Sequence, residues 1–309
     1  MRVVFHCPWA NARGWLEVLR AAGPELHFAA AEEIDEPGEV EAAVVWNPPV
    51  GFFDPYPNLR IVSVLGAGAD YLFVPGMRLP EVPITRIVDP VMTERMAGWV
   101  LATTLHFHRQ LDRYLVQQRE RRWVRHEHPD FGEVRIGILG QGAMGAASAR
   151  LLTGVGYRVA GWSRTPKALP GIESFAGDEA LAPFLARTDV LVCLLPLTPA
   201  TRGILRASTF GALAEGAVVL NAGRGAHLVE GDLLDALASG RLRGAALDVF
   251  AEEPLPAGHP FWTHPQILLT PHVASLTNPR TGAEQVVAAI RAVRDGREPS
   301  NRIDPGRAY

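Results

Sequence analysis

Only two cysteines, Cys7 and Cys193, occur in this chain, and both stand inside apolar, strand-like runs. Two such residues make no disulfide framework and are read as buried thiols. No apolar stretch approaches the length of a membrane helix. The opening run, Met1 to Pro8, is too short for a signal peptide and reads as a first strand, so the expected location is cytoplasmic. Charge of one sign is scarce as well. The formal net charge is −3, and the densest basic cluster, Arg119-Glu120-Arg121-Arg122, is broken by an acid. A nucleic-acid backbone is therefore not an expected partner. Nor is a metal: His126-Glu127-His128 has no second cluster at matching ligand spacing and reads as a solvated or interfacial loop. Short-period repeats and low-complexity tracts are absent too.

What is present is a soluble globular composition, 48% hydrophobic and 20% charged, over 309 residues, enough for two domains. The first hundred residues alternate strand and helix signals: strands at 3–5, 42–46 and 60–65, and a helix at 12–22. A single long helix is predicted from about Thr93, as N-cap, to Arg122. It is longer than one small domain needs, and would bridge domains, pack on a second subunit, or do both. A second α/β unit opens near Phe131. It has strands at 134–139, 157–162, 190–195, 217–220, 244–249 and 267–270, and a helix at 143–152. The last helical spacing runs from about 284 to 295.

Gly140-Gln141-Gly142-Ala143-Met144-Gly145 is a G-x-G-x-x-G that follows a strand and opens a helix, the context in which the pattern binds a dinucleotide. The first glycine permits a tight turn and the second lets a pyrophosphate approach. The third lets helix and strand pack closely, while the helix N-terminus stabilises the phosphate. The next strand ends in Ser163, Arg164, Thr165 and Lys167, with no acid between Trp162 and Ala168. A carboxylate there would accept the ribose 2′-hydroxyl of NAD and repel a 2′-phosphate. Guanidinium and hydroxyl groups bind one, so NADPH is the preferred cofactor and NADH a possible one.

Three polar residues follow apolar runs near the C-terminal end: Arg224 between two glycines, Glu253 before Pro254, and His272 after Pro271. Strand carboxyl ends are where open α/β sheets bind ligands. A guanidinium can hold a carboxylate, and an imidazole can deliver a proton. A carboxylate beside that imidazole fixes its tautomer and favours the imidazolium. Pattern alone does not separate Glu253 from Glu252.

At these residues the chain resembles the D-isomer-specific 2-hydroxyacid dehydrogenase family. The resemblance covers nearly the whole length: Val64 to Asp70, the glycine loop, Leu195-Pro196-Leu197-Thr198, and the Arg224, Glu253-Pro254 and Pro271-His272 segments. The spacings, 29 residues from Arg224 to Glu253 and 19 on to His272, match the family's trio and favour Glu253 over Glu252. The resemblance implies two Rossmann-like or flavodoxin-like α/β domains with parallel sheets and a cleft between them. Residues 1–99 with 276–309 would form a discontinuous substrate-binding domain, and 100–275 the NAD(P)-binding domain.

It also implies roles. Arg224 holds the substrate carboxylate and polarises the carbonyl, His272 donates the proton, and Glu253 supports the imidazolium. The Ala67 and Gly68 N–H groups complete the carboxylate site and Trp46 walls the pocket. Leu195, Pro196, Ala222, Gly223, Asp248 and Ala274 join the glycine loop and the 163–167 turn in holding the cofactor. Gly223 stands where several relatives carry a larger residue, which leaves substrate size open. Val45 to Pro49, Gly161 to Thr165, Phe175 to Gly177 and Arg307-Ala308-Tyr309 point, within the family, to NADPH-dependent reduction of small 2-keto acids. The expected reactions are glyoxylate to glycolate and hydroxypyruvate to D-glycerate, in a homodimer. Alternatives are lactate, formate or phosphite as substrate, or a dinucleotide-sensing corepressor-like binding protein.

Overall fold

Parallel strands buried on both faces read as near-continuous apolar runs, and the runs of this chain form two such sheets. The computed structural model describes residues 1–8 and 12–304; the terminal Arg307-Ala308-Tyr309 lies outside the described residues. In chain order the elements are β1 (Arg2–His6), α1 (Ala12–Ala22), β2 (His27–Ala30), β3 (Val40–Val45), β4 (Ile61–Val64), β5 (Ile84–Thr85), α2 (Pro90–His108), α3 (Leu111–Arg119), β6 (Arg135–Leu139) and α4 (Ala143–Val155). Then come β7 (Arg158–Ser163), β8 (Glu173–Ala176), α5 (Leu181–Ala186), β9 (Val190–Cys193), α6 (Ala207–Ala212), β10 (Ala217–Asn221), α7 (Glu230–Ala238), β11 (Leu242–Leu247), β12 (Ile267–Leu269) and α8 (Pro279–Arg294). Two compact units result: residues 1–91 with 277–309, and residues 92–276.

The first unit carries a five-stranded parallel sheet in the order β2-β1-β3-β4-β5, the flavodoxin-like order. Helix α8 belongs to this unit because its face fits α1. Gly282 lies against the Trp15 ring, where a Cβ would come within 2.9 Å, and Gly23 lies against Val287. Asn278 caps α8 through Arg280 N–H, and Arg291 pairs with Glu25 at 2.7 Å.

The second unit is a seven-stranded parallel sheet, β12-β11-β10-β9-β6-β7-β8, with the switch in strand order between β6 and β9. Side chains along its strands alternate between two core layers, with a register shift where β10 meets β11. Leu139, Leu191, Cys193, Val219 and Leu247 enter one core layer; Ile136, Ile138, Val192, Val218 and Leu220 enter the other. Burial pushes the Cys193 thiol up to about 12, which keeps it inert.

The long helix expected over 93–122 is two helices. It starts earlier, because Pro90 occupies the first turn and Asp89 Oδ1 accepts the Val91 N–H at 2.9 Å. It breaks at Gln110, whose φ of 55° is left-handed. His126 turns to Gln117 and Tyr114. Among the described residues no group of three His, Cys, Asp or Glu side chains is placed to hold a metal. Nor is any described helix long and apolar enough to cross a membrane.

Candidate active site

The glycine loop sits at the switch point of the second sheet, and its three glycines do three different things. Gly140 has φ 101°, and a Cβ there would press within 2.7 Å of the Leu194 carbonyl. Gly145 packs so closely under the turn that a Cβ would collide with the Gly140 carbonyl oxygen. Gly142, the N-cap of α4, faces open space, with no heavy atom of the described residues within 4 Å of a Cβ position. An exposed cap at the start of a 13-residue helix, followed by exposed Ala143 and half-buried Met144, fits a diphosphate. On the neighbouring strand the Ser163 hydroxyl is buried, donating to Gln141 Oε1 and the Thr165 carbonyl, whereas Arg164, Thr165 and Lys167 are exposed.

Two loops after β10 and β11 are locked together. Asn221 shapes the first: its amide donates to the Arg224 carbonyl at 3.0 Å and its oxygen accepts the Gly223 N–H. His227, fully buried, accepts the Arg224 N–H on Nδ1 at 3.0 Å and reaches the Pro196 carbonyl through Nε2. Its ring leaves Gly223 little room, since a Cβ would sit 2.9 Å from Nδ1. Gly225 lies directly on the Phe250–Ala251 backbone, where any side chain would collide. That contact sets the arginine loop beside the turn carrying Glu253.

Glu253 and His272 meet. His272 Nδ1 donates to Glu253 Oε2 at 2.6 Å, and Glu253 Oε1 accepts the Phe250 N–H at 2.9 Å. Both side chains are about one-third exposed, 37% and 35%. Burial pushes the Glu253 carboxyl upward. The His272 hydrogen bond and charge, the Phe250 N–H and the charge of Arg224 together outweigh it and hold the carboxyl below its ordinary value. This partnership selects the imidazole tautomer, leaving Nε2 for a substrate oxygen. Glu252 is exposed and makes no described contact with His272.

His272 has φ 54°, a left-handed conformation that costs a non-glycine residue energy unless its surroundings impose it. Asp248 imposes it. Its backbone carbonyl accepts the His272 N–H at 2.8 Å. Its carboxylate accepts Thr270 Oγ1 at 2.6 Å and the N–H groups of Val273 and Ala274, each at 2.9 Å. The Trp99 indole donates to Thr270 Oγ1 in turn. Asp248 is 1% exposed, and burial raises its carboxyl despite these donors. The resemblance named Asp248 among the residues that hold the cofactor and gave no sign of these partners, which lie 22 to 26 residues away.

In the first unit, Trp46 packs on Gly66, so the loop bearing Ala67 and Gly68 follows directly from that contact. The Trp46 ring tilts against Tyr71 at 5.1 Å between centroids, and Ala67 and Gly68 are half-buried. Leu195 and Ala222 are buried in the second unit, and Pro196 is exposed.

The NAD binding domain pattern of the D-isomer specific 2-hydroxyacid dehydrogenases matches residues 101–274. Glyoxylate/hydroxypyruvate reductase A of Yersinia enterocolitica is 41% identical over the whole of both chains. This chain belongs to the D-isomer specific 2-hydroxyacid dehydrogenase family. Among solved structures of relatives, one family member from Xanthobacter autotrophicus Py2, in complex with NADPH and MES, is 43% identical. Its TM-score is 0.92, over 100% of this chain and 99% of that one. The NADPH-dependent glyoxylate/hydroxypyruvate reductase of Sinorhizobium meliloti, in complex with NADP and sulfate, is 36% identical, with the same TM-score and coverage.

Proposed function

We propose that this chain is an NADPH-dependent reductase of small 2-keto acids, converting glyoxylate to glycolate and hydroxypyruvate to D-glycerate. The observation that carries this reading is the His272–Glu253 hydrogen bond at 2.6 Å, with the charge of Arg224 acting on the same carboxylate. Full-length similarity to reductases of that name supports the substrate class. Relatives bound to NADPH or NADP support the cofactor.

The dinucleotide, when bound, supplies the hydride. The Gly140–Gly145 loop and the α4 N-terminus hold its diphosphate, and Arg164 with Thr165 and Lys167 recognises the 2′-phosphate. Arg224 pairs with the substrate carboxylate and polarises the neighbouring carbonyl. His272 gives its Nε2 proton to the carbonyl oxygen as the keto carbon is reduced. Glu253 holds the ring in place and stabilises the imidazolium that must exist beforehand. Asp248 holds the loop on which the ring stands. From the first unit we assign the Ala67 and Gly68 N–H groups to the substrate carboxylate and the Trp46 ring to an apolar wall. The units of residues 1–91 with 277–309 and of 92–276 then serve substrate and cofactor respectively.

We also propose a homodimer built on α2 and α3. Leu111 and Leu115 on α3 and Val124 in the segment after it are each nearly half exposed, and Trp123 beside Val124 is 92% exposed, an apolar surface that a two-fold partner would cover.

The test is NADPH consumption, followed by absorbance, with glyoxylate, hydroxypyruvate and pyruvate offered in parallel. Glyoxylate and hydroxypyruvate are expected to be turned over with the higher kcat/KM. Turnover of pyruvate alone would move the chain to a lactate-type dehydrogenase, and turnover of none would favour a binding protein.

A further inference from the structure

Gln141 occupies the first variable position of the glycine loop, yet its side chain turns inward and is only 7% exposed. Its Oε1 accepts the Ser163 hydroxyl at 3.0 Å and the Ser174 hydroxyl at 3.1 Å. One amide therefore ties three segments together: the pyrophosphate loop, the end of β7 and the edge strand β8. The space it fills is the one a side chain at Gly161 would need, since a Cβ there would collide with the Gln141 amide. Its Nε2 is buried with no hydrogen-bond partner among the described residues. A leucine would occupy this position without burying an unpaired amide. Core filling alone does not account for glutamine here, whereas the bridge to two hydroxyls does.

The bridge bears on one turn. Ser163 Oγ also reaches the Thr165 carbonyl at 2.8 Å, so this hydroxyl closes the turn that carries Arg164. Two further bonds fix the same corner: Trp162 Nε1 to the Gly177 carbonyl at 2.9 Å, and Gly177 N–H to the Ser163 carbonyl at 3.1 Å. The Gly140 N–H donates to the Trp162 carbonyl at 2.9 Å, a backbone tie between the glycine loop and β7, and the Gln141 amide adds the described side-chain connection that reaches the turn itself.

We infer that Gln141 is a positioning residue for cofactor choice. It sets the distance between the loop that receives the diphosphate and the Arg164 turn that receives the 2′-phosphate. The inference rests on the NADPH reading above. It makes an asymmetric demand: a dinucleotide without the 2′-phosphate uses the loop N–H groups and the α4 N-terminus and gains little from a fixed Arg164.

The experiment is direct binding of NADPH and NADH, by calorimetry, to wild type, Gln141→Leu, Ser174→Ala and Arg164→Ala. Gln141→Leu is expected to weaken NADPH about five- to tenfold and NADH less than about twofold, the scale of one lost positioning hydrogen bond to a charged site. Ser174→Ala removes one of the two bonds and leaves the loop intact, so it should lower the NADPH-to-NADH ratio in the same direction by less. It carries the test alone if Gln141→Leu does not fold. A wild-type preference for NADPH that survives unchanged in both variants overturns the inference while leaving the NADPH reading in place. A wild type that binds both dinucleotides equally, or an Arg164→Ala that weakens both alike, overturns the reading and the inference together.

Discussion

A carboxylate and an imidazole 2.6 Å apart share their electrostatics, so the pair is the place to perturb. Because the Glu253 carboxyl lies below its ordinary value, its charge is complete throughout the neutral range and disappears only as pH falls through that lowered value. Its contribution to stability has the same sign, present above the ordinary carboxylate range and lost toward acid. Reduction consumes a proton delivered through His272, and the charged Glu253 holds that donor, so reductive kcat/KM should decline toward acid as pH falls through the lowered Glu253 value. Glu253→Gln keeps the shape and removes the charge, so kcat/KM should fall and the acid-side decline should disappear; profiles that superimpose would exclude the role. Arg224→Gln should lower kcat/KM for glyoxylate by about a hundredfold or more, through both KM and kcat, with NADPH affinity little changed. Steady-state kinetics and cofactor titration check this. At this scale the sequence was legible where a polar residue ends an apolar run, as at Arg224 and His272. Gln141 was not legible. Its position is a variable one in the motif, and its meaning depends on Gly161 and on Ser174, 33 residues away in an edge strand.

Elements were legible where burial is two-sided. The apolar runs at β1, β3, β4, β6, β7, β9, β10 and β11 stand out, while β12, a half-buried edge strand, was legible from its apolar run alone. By contrast β2 and β8 lie at sheet edges, short and partly exposed, and α5 to α7 carry little periodicity over six to nine residues. The break between α2 and α3 falls at Gln110, with no glycine or proline to announce it. The start of α2 was placed too late, at Thr93, although Asp89-Pro90, a cap followed by a first-turn proline, opens the helix. Asp89 also accepts the Thr281 hydroxyl at the foot of α8. Asp89→Ala should therefore cost about 1–2 kcal/mol of stability, measured by urea unfolding. The glycine loop yields a sharper contrast. Gly142→Ala meets open space and should leave the melting temperature nearly unchanged, while weakening NADPH and NADH alike where a diphosphate approaches the cap. Gly145→Ala forces α4 away from the Gly140 carbonyl and should lower both stability and binding. Similar melting temperatures for the two variants would contradict this division of labour.

Over the whole molecule, the α/β architecture and its parallel sheets followed from the alternation of apolar runs with helical spacings. The strand orders did not, because which strand neighbours which is decided by crossovers that leave no local signal. The exposed apolar residues from Leu111 to Val124 carry the prediction of assembly: sedimentation at micromolar concentration should give twice the 33.5 kDa chain mass. A monomer would exclude the proposed interface. The most direct measurement of the central claim is NADPH-dependent reduction of glyoxylate by wild type and by His272→Ala. The wild type should oxidise NADPH only when glyoxylate is present. The variant should retain NADPH binding and lose about a thousandfold in kcat/KM, the usual scale for a removed general acid. A variant that reduces glyoxylate at the wild-type rate would contradict the assignment of His272 and with it the mechanism.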